Sequence, residues 1–138
     1  MAATGNARDV TVRWQGGLRF EGGGGGRPPM LVDGDSEVAT SPAELLLVAA
    51  ATCSGADVVH ILEKARAALR SLEIHVRGTR RETHPRRYTA VHFRFVLAGD
   101  AVDETKARRA IDLSLEKYCS VVASLAPDIA VTYDVALA

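Results

Sequence analysis

The sequence is poor in cysteine, with two in 138 residues, Cys53 and Cys119. Two are too few for a disulfide scaffold, so these are either core thiols or redox thiols. There is no CxxC and no HxxxH, and the four histidines are scattered at 60, 75, 84 and 92, so the chain carries no zinc pattern. No G-x-S-x-G is present, which removes the common signature of a serine hydrolase. The N-terminus lacks the apolar core of a secretory signal, and a cytoplasmic location is expected. Net charge is also missing, because 17 basic residues balance 17 acidic ones; that argues against general binding to nucleic acid or to a membrane surface. The chain shows neither an internal repeat nor a domain-sized linker. A single domain over residues 1–138 is expected, with Met1 to Arg8 loose and enough length to bury a core without staples.

What is present falls into alternating elements. Val10, Val12 and Trp14 alternate with polar residues, as in a half-buried strand. Gln15-Gly16-Gly17 reads as a turn, Leu18 to Glu21 as its returning arm, and Gly22 to Gly26 as a flexible hairpin tip. A phosphate cradle is disfavoured there, since no Lys-Ser/Thr and no helix follow directly. Met30 to Asp33 is a third strand. Further on, Leu72, Ile74 and Val76, then Val91, Phe93, Phe95 and Leu97, mark two long strands joined through His84-Pro85-Arg86 as an antiparallel hairpin. The hairpin collects Arg77, Arg80, Arg81, His84, Arg86 and Arg87 with Tyr88 as the interleaved aromatic, a solvated end before it is an anion or nucleic-acid contact. Asp103 caps a second helix whose inner face runs through Ala107, Ile111, Ser114, Leu115, Tyr118, Val122 and Leu125, with Cys119 at its edge and Pro127 as its stop. Ile129 to Val135 is the last strand. The order β-β-β-α-β-β-α-β implies an α+β fold with helices on mainly antiparallel sheet.

The chain is organised around Ser41 to Arg70. Ser41, Pro42 and Glu44 form an N-cap, a first-turn proline and a capping box. Leu45 to Ala56 is apolar or small all round, which requires surrounding protein; as an apolar run it is shorter than the ~18 residues that span a bilayer. Beyond it, Val58, Ile61, Leu62, Ala65 and Leu69 keep helical spacing, while Asp57, Glu63, Lys64, Arg66 and Arg70 face away. Cys53 lies among small residues with no cation beside it in sequence. Alone, each cysteine reads as a buried structural thiol. As a pair, they have the requirement for sulfenic-acid formation followed by disulfide closure, provided the two helices bring them together.

At these residues the chain resembles the OsmC/Ohr family, closest to its YhfA-like subgroup. The resemblance rests on Ser41-Pro42-Ala43-Glu44-Leu45-Leu46, Cys53, Asp57-Val58-Val59 and Ile61-Leu62, on Lys117-Tyr118-Cys119-Ser120-Val121, on Arg80-Arg81-Glu82 with Pro85-Arg86 and Tyr88-Thr89, and on Trp14, Gly17-Leu18 and Phe20. It covers about Val10 to Val135. It implies an OsmC-like fold built as an intertwined homodimer with active sites at the interface. It also implies that Cys53 attacks an organic hydroperoxide, that Cys119 resolves the sulfenic acid, and that a dithiol such as dihydrolipoamide regenerates the pair. An arginine from the N-terminal sheet stabilises the thiolate in that family; Arg13, Arg19 and Arg27 are the candidates here, and Arg27, after the glycine run, is the freest. The Ohr branch has an acid ten residues before its first cysteine. Here that position is Ala43, and Glu44 is nine before, about half a turn out of phase and ~13.5 Å away along a straight helix. Glu44 is therefore either a capping residue or an acid acting through a helix break or a second chain.

The expected function is a thiol-dependent peroxidase with Cys53, Cys119, Glu44 and Arg27 as its site and no metal or cofactor. A non-enzymatic dimer that binds a small apolar ligand beside structural cysteines is the alternative.

Overall fold

The structure, a computed structural model, describes residues 6–138. The expectation for Met1 to Arg8 falls, for residues 1–5, outside the described residues. The chain groups into two compact units, Met1–Leu46 and Leu47–Ala138.

The first unit is a three-stranded antiparallel sheet, β1 (Val10–Trp14), β2 (Arg19–Gly24) and β3 (Met30–Asp33), in the order β1-β2-β3. Gly16 and Gly17 take positive φ in the turn between the first two strands, where a side chain would be strained. The glycine run is only partly a hairpin tip. Gly22, Gly23 and Gly24 belong to β2, and Gly22 pairs with both Val12 and Met30. A Cβ on Gly22 would stand 3.0 Å from Val12 Cγ2, so close side-chain approach across the pair explains glycine inside a strand. The strands form as their alternation predicts, but Val10, Val12 and Trp14 are exposed rather than half-buried. Among the described residues of this unit, Asp33 is the buried one. Its carboxylate accepts from the backbone N–H groups of Asp35, Glu37 and Val38 at 3.0–3.1 Å. Those bonds, Val38 first, hold its pKa below the ordinary value against the opposing effect of burial.

The long helix α1 (Pro42–Lys64) opens with the predicted capping box: Ser41 Oγ accepts from the Glu44 N–H at 3.2 Å and Glu44 Oε1 accepts from the Ser41 N–H at 3.0 Å. It stops at Lys64, short of the predicted Arg70. Arg66 turns to φ +56, and the Ala67 N–H reaches back to the Leu62 carbonyl at 2.8 Å, a Schellman ending that no glycine announces. Leu69 is therefore off the helix. At 23 residues and a mean hydropathy of 1.9 over its best window, α1 is long and apolar enough to cross a bilayer by composition, unlike the shorter run read from sequence. Its inner side, Ala50, Val58 and Leu62, is instead buried in the protein core. The predicted all-round burial of its first half is absent within one chain, since Leu46 and Val48 are exposed.

The second unit holds that core. Strands β4 (Ser71–Arg80) and β5 (Tyr88–Ala98) form the predicted antiparallel hairpin, and β6 (Ala130–Leu137) joins β5 in parallel. A parallel neighbour needs a crossover, here the helical segment between the two strands. Val91, Phe93, Phe95 and Leu97 present one fully buried face of β5 to α1 and to α2 (Glu104–Leu113), whose Ala107, Ala110 and Ile111 complete the cluster. Asp103 caps α2, accepting from the Lys106 N–H at 2.8 Å. Gly55 lets α1 approach β4: a Cβ there would meet Ile74 Cδ1 at 3.1 Å.

Candidate functional site: two unequal thiols

The second helix is not continuous, contrary to its periodicity. It changes at Ser114 into a π-helical turn, Ser114–Tyr118, closed by the Cys119 N–H on the Ser114 carbonyl at 2.8 Å. Cys119 is extended, with φ −71 and ψ 103, and begins the short helix α3 (Ser120–Ala123) as its N-cap, accepting from the Val122 N–H at 3.4 Å. The helical stretch ends at Ala123, before Pro127. Single π turns of this kind occur often where a side chain must be re-aimed.

The break turns Cys119 and the first N–H groups of α3 toward Cys53 on α1. Cys53 is half-buried, its Sγ 3.8 Å from Ser120 Oγ, and Cys119 is buried at 3% exposure. Burial pushes the Cys53 thiol up, but the Val121 N–H, the Cys119 thiol, and the Ser120 hydroxyl and N–H outweigh it. The net shift is downward. The missing positive potential thus comes from unpaired N–H groups at a helix start, together with donors on its first residues. Cys119 moves the other way. Burial, partly offset by the Val122 N–H and reinforced by Cys53 beside it, pushes its thiol up to about 11. The two sulfurs are thus biased in opposite directions, the half-buried Cys53 toward the thiolate and the buried Cys119 toward the thiol.

A buried polar chain fixes this arrangement. Ser114 Oγ lies 2.8 Å from Ser54 Oγ and 2.9 Å from Asp57 Oδ2. The carboxylate only accepts, so the Ser114 proton goes to Asp57 and Ser54 supplies the other bond. Asp57, expected to face away, instead ties α1 to the π turn and is not among the groups acting on the Cys53 sulfur. None of Ser54, Asp57, Ser114 and Ser120 is expected as a site residue from sequence: Asp57 and Ser120 enter the family resemblance without a role, and Ser114 is only a position on the inner face of the second helix. A serine directly after a cysteine is the one local hint of a helix start; nothing local marks Ser114 as the start of a π turn.

Glu44 and Arg27 belong to the first unit. Glu44 Oε1 accepts from the Ser36 hydroxyl at 2.7 Å besides the Ser41 N–H, and these bonds, Ser36 first, lower its pKa. Arg27 lines a cavity of about 300 Å³ with Arg13, Glu21 and the glycine run. Among the described residues no group of three or more His, Cys, Asp or Glu side chains could hold a metal.

The fold and the paired thiols define a class: α+β proteins with one cysteine on a long buried-faced helix and a second at a break in the following helix. The chain belongs to the OsmC family, since residues 33–134 match the family model described as OsmC-like protein. It is 39% identical to Protein YhfA of Escherichia coli K12 over 123 residues, 88% of this chain and 92% of that protein. A hypothetical protein from Aquifex aeolicus VF5 is 31% identical, with a TM-score of 0.83 over 96% of this chain and 98% of that one. The organic hydroperoxide resistance protein OhrB of Bacillus subtilis shares the fold at 16% identity, with a TM-score of 0.63 over 94% and 98% of the two chains.

Proposed function

We propose that this protein is a cytoplasmic thiol peroxidase that reduces organic hydroperoxides in defence against oxidative stress. The observation that carries the reading is the inequality of the two thiols, one lowered and half-exposed, the other raised and buried. The Cys53 thiolate attacks the distal oxygen of ROOH. An S–O bond forms, the O–O bond breaks, and the alkoxide takes up a proton to leave as ROH. The Cys119 thiol then attacks the Cys53 sulfenic acid; the disulfide forms and water leaves with the thiol proton. A dithiol reduces that disulfide by exchange and departs as its own disulfide, returning two thiols. The apolar surroundings of Cys53 favour organic hydroperoxides over hydrogen peroxide.

The working unit in this reading is a homodimer, because Val10, Val12, Trp14, Leu46 and Val48 are left exposed by one chain. Arg27 is its added cation at the Cys53 thiolate and Glu44 the residue that orients Arg27, both supplied on assembly. Turnover of cumene hydroperoxide with a dithiol such as dihydrolipoamide tests the proposal. Wild type is expected to turn over and Cys53→Ser to be inactive; no turnover in wild type, or turnover surviving in Cys53→Ser, overturns it.

A further inference from the structure

A cavity of about 560 Å³ opens between α1 and α2 in the second unit, within the usual size of small-molecule sites. His60 and Lys64 enter it from successive turns of α1, and Arg109 enters from α2. Among the described residues these three make no ion pair, whereas Arg70, Arg87, Arg94 and Arg108 each hold a carboxylate. The remaining lining is largely apolar, with Ile61, Leu113 and the exposed ring of Tyr118. Asp57 is the lone acid, and its Oδ2 is already engaged by Ser114. Within the lining two cations, Lys64 and Arg109, stand against one carboxylate, a balance that favours a singly charged anion over a dianion such as phosphate; Lys117 lies outside the lining, 5.4 Å from the Tyr118 ring.

We propose that this cavity binds an amphiphilic organic carboxylate. The guanidinium of Arg109 takes the carboxylate in its planar fork with Lys64 beside it, and the alkyl or aryl body lies against Ile61, Leu113 and Tyr118. The cavity borders the turn that carries Cys119, through Asp57 and Tyr118, but its binding groups need neither sulfur, so it holds or fails whether or not the protein turns over hydroperoxides.

Calorimetric titration of the full chain with octanoate, octan-1-ol and inorganic phosphate tests it. Octanoate is expected to bind saturably below ~10 mM. Loss of one charge-assisted bond in Arg109→Gln or Lys64→Gln should weaken it about tenfold or more. Arg109→Lys should recover part of the loss. Arg108→Gln, which removes a neighbouring cation already held by Glu104, should leave octanoate affinity unchanged. Both Arg109 and Lys64 are exposed, so their variants are expected to melt as wild type. Absence of saturable octanoate binding, equal affinity for octanoate and octan-1-ol, phosphate binding tighter than octanoate, or unaltered octanoate affinity in both glutamine variants would each overturn the assignment.

Discussion

In the second unit the alternating residues of β5, from Val91 through Leu97, are shut away against two helices. In the first unit an equally regular alternation ends in water: Val10 is 70% exposed and Trp14 67%. The two sheets obey the same period-2 rule and differ in what covers them. Alternation is a property of the strand, while burial is a property of its neighbours. Asp33, the one buried side chain among the described residues of the first unit, organises a loop through backbone hydrogen bonds and contributes nothing apolar. An apolar sheet face without a core is a surface open to a partner, and a dimer such as the one proposed above would cover it.

Matched substitutions sharpen the contrast. Phe93→Ala empties a fully buried site, where Phe93 and Phe95 stack with ring centroids 6.0 Å apart; it should cost about 3–5 kcal/mol in denaturant unfolding. Val12→Glu, on the exposed face, should leave the fold intact but move the protein from dimer to monomer in sedimentation. If Val12→Glu left the association state unchanged, the first sheet would not be an interface and the comparison would lose its meaning. Ser114→Ala deletes the central link of the Ser54–Ser114–Asp57 chain and should cost about 1–3 kcal/mol. It should also slow Cys53–Cys119 disulfide closure, because the π turn that aims Cys119 is no longer pinned to α1.

The smallest effect concerns the thiols themselves. The rate of Cys53 alkylation by iodoacetamide should rise with pH and level off at a midpoint below the ordinary thiol value of 9.0. The sign follows from the thiolate being the reactive form and the Cys53 surroundings favouring it. Ser120→Ala removes one of the hydrogen-bond donors and should move that midpoint upward by less than about one unit. A midpoint unchanged in Ser120→Ala would mean that the Ser120 hydroxyl does not act on Cys53.

Much of this was legible in the residues. The β-β-β-α-β-β-α-β order, the capping box of Glu44 and Ser41, the Asp103 cap and the β4–β5 hairpin all rest on local rules that tertiary contacts left alone. The features that make the site did not follow from local rules. Ser114 to Ala123 has no glycine or proline, so its periodicity reads as one helix; the break arises from hydrogen bonds to Ser54 and Asp57, sixty and fifty-seven residues away. The activation of Cys53 was illegible for the same reason, since its donors come from the start of α3 and not from its own helix. The α1 ending was hidden by an arginine at positive φ where glycine is usual. Gly22 to Gly24 read as part of a hairpin tip because composition does not reveal a strand partner such as Val12.

The central claim is that two thiols of opposite bias form one redox couple. The most direct measurement is intact mass and non-reducing peptide mapping after one equivalent of cumene hydroperoxide. The account predicts a loss of two hydrogens and a single linked peptide pair containing Cys53 and Cys119, formed within one chain. Two free thiols after treatment, or a sulfenic acid that persists on Cys53 with Cys119 still reduced, would contradict it.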